Sequence, residues 1–96
     1  MKKGLFAVYD SSANLYDNPF VAVNKAVAVR SFGQACQDPK TPMNQFPKEF
    51  RLALIGIYDD ETGVITSNVP EAIASAEDYV ETKIQVKEKE KKWEKQ

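Results

Sequence analysis

The chain has 96 residues, of which 43% are hydrophobic and 28% charged, with a formal net charge of -1. That is an ordinary globular composition, enough for one modest core, and it argues against wholesale disorder. A single cysteine, Cys36, and the absence of histidine leave no internal disulfide, no Cys/His zinc set and no imidazole general base.

Leu5-Phe6-Ala7-Val8-Tyr9 is a short apolar and aromatic run that reads as a strand, ending in the turn-forming cluster Asp10 to Asn14. A second strand is expected from about Asn18 to Val23, with Pro19 at its start or on an edge. Asn24 can then cap a helix from Lys25 to about Cys36, with Ala26, Val29, Phe32, Ala35 and Cys36 toward the core and Gly33 weakening the last turn. Residues 37–49, with Pro39, Pro42 and Pro47, read as a long loop. Phe50 to Tyr58 is the strongest strand signal. Asp59-Asp60-Glu61-Thr62-Gly63 makes a hairpin connection, with Gly63 suited to a positive φ, and Val64 to Ser67 returns as a strand. Asn68-Val69-Pro70-Glu71 has the marks of a second helix start: a capping Asn, an early Pro and a Glu three residues on.

The two halves parallel one another. Leu5 to Asp10 matches Leu54 to Asp59, and each is followed by a polar turn, a short strand, an Asn and an alanine-rich stretch. The expected fold is therefore α+β: duplicated ββα halves forming a four-stranded, mainly antiparallel sheet with two helices on one face. Residues 1–80 would be the domain, and 81–96 a charged C-terminal extension, helical or disordered. In the strand after Phe50, alternation puts Leu52, Leu54 and Tyr58 on one face and Ala53, Ile55 and Ile57 on the other. So apolar a strand calls for cover on both faces, from the C-terminal segment or a second copy, and a homodimer is the expectation.

Little here suggests chemistry. The Asp59-Asp60-Glu61 group, with Asp10 nearby, could hold a hard cation such as magnesium, but a solvated turn is the simpler reading. Cys36 lacks an activating histidine and reads as a small buried residue. No phosphate loop, nucleophile elbow or carboxylate pair is present, so the chain is expected to bind and not to catalyse, with no cofactor and no metal. No apolar stretch is long enough to span a bilayer, and the run after Met1-Lys2-Lys3 stops at Asp10, too short for a secretory signal. No membrane association is expected, and the expected compartment is a reducing cytoplasm.

The end of the chain is different. Residues 83–96 hold six lysines and three glutamates around Trp93, the only tryptophan. Lysines neutralise phosphates and an exposed indole stacks on an unpaired base, so Lys87, Lys89, Lys91, Lys92, Trp93 and Lys95 are candidate nucleic-acid contacts. Their alternation with glutamates also fits a merely solvated helix. In the body, Arg30 and Arg51, with Lys25 and Lys48, are the basic residues that could join them if the fold clusters them.

An ordered series of short motifs resembles the small nonstructural protein of gokushovirus-type microviruses. It runs from Lys3-Gly4-Leu5-Phe6-Ala7-Val8-Tyr9-Asp10-Ser11 through Pro19-Phe20, Ala28-Val29-Arg30-Ser31-Phe32, Ala35-Cys36 and Asp38-Pro39. It continues with Phe46-Pro47-Lys48-Glu49-Phe50-Arg51-Leu52, Ile55-Gly56-Ile57-Tyr58-Asp59-Asp60 and Thr62-Gly63. Phe46 and Glu49 stand where that family often has His and Asp, and the lysine-rich end matches no family feature. The resemblance implies a non-capsid protein of a small single-stranded DNA phage, acting in the cytoplasm of the infected bacterium. Such proteins are described as DNA-binding, or as regulators of the switch to single-stranded DNA synthesis and packaging. The expected partner is single-stranded DNA; the alternative is a protein-interaction module for a host or viral replication protein. A metal-dependent enzyme built on the Asp59 group is the third reading.

Overall fold

The computed structural model describes residues 1–80, which build an antiparallel sheet with one long helix across one face. In chain order the elements are β1 (Lys2–Asp10), β2 (Leu15–Tyr16), β3 (Phe20–Ala22), α1 (Lys25–Gln37), α2 (Pro42–Gln45), a 3-10 turn (Pro47–Glu49), β4 (Phe50–Asp59) and β5 (Ile65–Ser75). Residues 77–80 turn helical again. Strand order is β2-β1-β4-β5, and β3 also pairs with β1. Every pairing is antiparallel.

α1 forms where its signals place it. Asn24 Oδ1 accepts from the Val27 amide at 2.9 Å, satisfying one of the amides that a helix start leaves open. Its buried positions are Ala28, Phe32, Gly33 and Cys36, a stripe of period three to four that lies on Phe6, Leu52 and Leu54 of the sheet. Ala26, expected in the core, is exposed, and Val29 and Ala35 are only half-buried. The stripe is centred on Ala28 and not on Ala26. Phe6 and Leu52 are fully buried, each worth about 1.5–3 kcal/mol of apolar burial. The stretch 37–49 is more ordered than its prolines suggested. Thr41 Oγ1 donates to the Ala35 carbonyl at 2.8 Å, and buried Asn44 Nδ2 donates to the Cys36 carbonyl at 2.9 Å. α2 and its capping Thr41 thus supply partners for the last carbonyls of α1.

The second half departs from expectation. Asn68-Val69-Pro70-Glu71 does not open a helix: it lies inside β5, which runs on to Ser75 opposite Arg51. Ser67 faces Gly56 and Glu71 faces Leu54, so residues 68–70 bulge out opposite Ile55. The bulge accommodates Pro70, which has no amide to give a ladder, on an edge strand where such a residue is tolerated. A helix here would have left the outer amides and carbonyls of β4 without partners. The duplication is therefore not confirmed over the described residues: the first half carries α1, and the second a long edge strand before residues 77–80 turn helical.

A second bulge resets the faces of β4. Leu5 pairs with Gly56 while Phe6 pairs with Leu54, leaving Ile55 as the extra residue. Beyond it the alternation inverts, so Ile57 sits opposite Gly4 on the α1 side and Tyr58 sits opposite Lys3 on the other face. The strict alternation that grouped Tyr58 with Leu52 and Leu54 fails at this point.

Candidate binding face

The register assembles the face turned away from α1 as a set of rows across the strands. One row is Tyr16–Tyr9–Arg51–Ser75, and the next is Ala7–Ala53–Ala72. Further along come Val21–Leu5–Gly56–Ser67 and Lys3–Tyr58–Ile65. None of these paired positions is Asp or Glu. The described residues as a whole carry seven basic and ten acidic side chains, a net of -3. Acidic charge therefore reaches this face only from outside the paired positions, as Asp60 does at Lys3. α1 and α2 pack on the opposite one, against Phe6, Leu52 and Val8.

The first row is the best-defined part of the face. The Tyr9 and Tyr16 rings lie 4.7 Å apart at 45°, and the Tyr9 hydroxyl donates to Asn14 Oδ1 at 2.9 Å. Asn14 holds φ 57°, a left-handed conformation that Asn tolerates better than most residues. The turn therefore fixes the Tyr9 ring. Arg51, exposed between the core residues Phe50 and Leu52, has no ion-pair partner among the described residues. Lys3 differs, since its Nζ is 3.1 Å from Asp60.

The structure does not bring the expected basic residues together. Arg30 lies on α1 beside a shallow groove with Ile73 and Tyr79, on the far side of the sheet from Arg51. Lys25 is bound to Glu71 at 3.2 Å. Lys87, Lys89, Lys91, Lys92, Trp93 and Lys95 lie outside the described residues. Tyr16 was missed as a site residue because a two-residue strand leaves no periodic signal, and its pairing with Tyr9 is visible only in the register. The hairpin acids are engaged locally. Asp59 accepts from the Glu61 amide at 2.9 Å, and this bond holds its carboxyl below the ordinary range. Asp60 is pulled down by the Met1 ammonium and then by Lys3. Among the described residues no group of three or more acidic or Cys side chains is placed to hold a metal ion. Cys36 is fully buried, and desolvation pushes its thiol up to about 11, which leaves it protonated and unreactive near neutral pH. Among the described residues no helix is long and apolar enough to cross a membrane.

Fold and face together define a small α+β protein with a two-sided sheet, one side sealed by a helix and the other presenting tyrosines and an arginine with no ion-pair partner among the described residues. The chain belongs to the Phage ORF5 protein family, whose model matches residues 3–79. It is thus a phage protein, and the match takes in every row of the face while stopping short of the lysine-rich end. No curated protein and no solved structure matches the chain.

Proposed function

We propose that this phage protein is a non-enzymatic binder of single-stranded DNA, acting in the bacterial cytoplasm during replication of a microvirus-type genome. The observation that carries this reading is the Tyr16–Tyr9–Arg51 row. Aromatic rings on a sheet face stack on unpaired bases without regard to sequence, and a guanidinium with no carboxylate partner among the described residues can meet a phosphate. A duplex, with its bases stacked internally, offers these rings nothing equivalent. The body's net acidity predicts modest affinity resting on few phosphate contacts, with a salt slope of about -0.7 per phosphate neutralised on a single strand. The lysines and Trp93 of residues 87–95 would add to that affinity.

The test is anisotropy of a labelled single-stranded oligonucleotide with the full chain, at low and at physiological salt. Binding should weaken with Arg51→Glu and with Tyr9→Ala, and should be weaker for the matching duplex. Replacing Lys91 and Lys92 by Glu separates the contribution of the lysine-rich end from that of the face. If both face variants bind as the wild type does, the face is not the site. A second copy is the competing occupant: a stable dimer that Tyr9→Ala dissociates, with no DNA affinity, would replace this reading. The alternative, a module for a host or viral replication protein, is favoured by the apolar groove of about 610 Å³ between α1 and Ile73/Tyr79.

A further inference from the structure

On the α1 side of the sheet, between the β1–β2 turn and α2, lies a cavity of about 390 Å³. This is near the lower end of the range for small-ligand pockets, about 300–1,000 Å³. Val8, Met43 and Phe50 line it with apolar surface, and Leu15, 64% exposed, stands at its rim. Among the described residues its only charged lining residues are Asp10 and Asp17. Asp10 Oδ1 accepts from the amides of Ser12 and Ala13 at 3.0 and 3.4 Å, and Asp17 Oδ1 accepts from the Asn18 amide at 2.8 Å. Neither carboxylate is ion-paired among the described residues.

We propose that this cavity is a docking site for a basic peptide of a partner protein, taking one lysine or arginine side chain. Such a side chain has an apolar stem and a charged head, and the cavity's lining offers both matching surfaces. The stem would lie along Val8, Met43 and Phe50, and the head would reach Asp10 and Asp17. An acidic ligand is repelled by both carboxylates, and a purely apolar one would bury them without a partner. Tyr16 lines the cavity and also belongs to the Tyr9–Arg51 row, but Asp10, Asp17, Val8, Met43 and Phe50 lie outside that row, so the aspartate variants test the peptide site without altering the residues of the DNA reading.

The experiment uses the full chain and a fluorescein-labelled hexalysine peptide, followed by anisotropy at low salt. The double variant Asp10→Asn/Asp17→Asn keeps the acceptor oxygens that the turn amides use, and unchanged thermal melting would show the fold intact. It should bind the peptide at least tenfold more weakly. Glu77→Gln/Asp78→Asn removes two charges elsewhere and should leave affinity within twofold, while Leu15→Ser should lower it severalfold. Equal losses in the two double variants would mean diffuse attraction to an acidic body, and the proposal fails. It fails also if Leu15→Ser changes nothing, because the apolar wall is then not engaged. Trp93, the only tryptophan, reports one rival occupant. If its emission shifts to the red in Asp10→Asn/Asp17→Asn without any peptide, residues 83–96 of this chain already fill the cavity, and an outside partner is ruled out.

Discussion

Arg51 and Leu52 are neighbours in one strand and belong to two different surfaces. Leu52 is fully buried under α1, with Phe6, Phe32 and Leu54 in the same core. Arg51 points the other way, into a row with Tyr9 and Tyr16 that no helix among the described residues covers. The core side is built of residues whose removal leaves a hole. The open side has buried Ala7 and Ala53 at its centre, but its exposed residues, Arg51 and Tyr16 among them, can be removed with the core left whole, changing what the surface can touch. Most of the core of the described residues thus lies on one face of the sheet, under α1.

The largest effect expected is on the sealed side. Leu52→Ala removes a fully buried side chain and should cost about 2–5 kcal/mol, read from urea unfolding. Arg51→Ala, one residue away, should stay within about 0.5 kcal/mol of the wild type, as for an ordinary surface change. If the two cost similar amounts, the division between the faces is wrong.

The next effect is on binding. Tyr9→Ala should weaken single-stranded DNA binding by about 1–3 kcal/mol, the loss of one stacked base. Tyr9→Phe keeps the ring and should retain most of that affinity, losing only the hydroxyl bond to Asn14. A Tyr9→Phe loss as large as that of Tyr9→Ala would point to the hydroxyl, and with it to a mode other than stacking.

Two asparagines show how much of this was legible in the sequence. Asn24 and Asn68 carry the same local signal, an amide side chain ahead of an alanine-rich stretch. Asn24 caps α1 because Ala28, Phe32 and Cys36 recur behind it at helical spacing and land on the core. Behind Asn68 apolar residues are as frequent, with Val69, Ala72, Ile73, Ala74 and Ala76, but the edge of β4 needs a partner strand, so tertiary demand overrides the cap signal. The hairpin at Asp59 to Gly63 was readable, and Gly63 indeed holds φ +75°. The bulge at Ile55 was not, because an extra residue leaves no mark in composition; with it went the placement of Tyr58. Nor could the sequence show that Arg30 and Arg51 lie on opposite faces, since that depends on where α1 crosses. The difference is measurable: Asn24→Ala should cost about 1 kcal/mol, whereas Asn68→Ala, whose side chain makes no hydrogen bond among the described residues, should cost almost nothing.

The smallest effect concerns the other cation of the open face. Lys3 is held by Asp60 at 3.1 Å, whereas Arg51 has no ion-pair partner among the described residues. Asp60→Asn should release Lys3 and raise single-stranded DNA affinity slightly, by less than Arg51→Glu lowers it. The same contact sets a pH dependence. The Met1 ammonium first, and Lys3 second, hold the Asp60 carboxyl below its ordinary value of 3.8. A carboxyl lowered in the folded state adds stability that is fully present above its unfolded pKa and is lost as pH falls through the lower folded one. The group is solvent-exposed and screened, so the loss on acidification should be small. An NMR titration of Asp60 should give a midpoint below 3.8, and Lys3→Met should move it part of the way back. No movement would mean that Lys3 is not held by Asp60 in solution, and the contrast between Lys3 and Arg51 on this face would disappear.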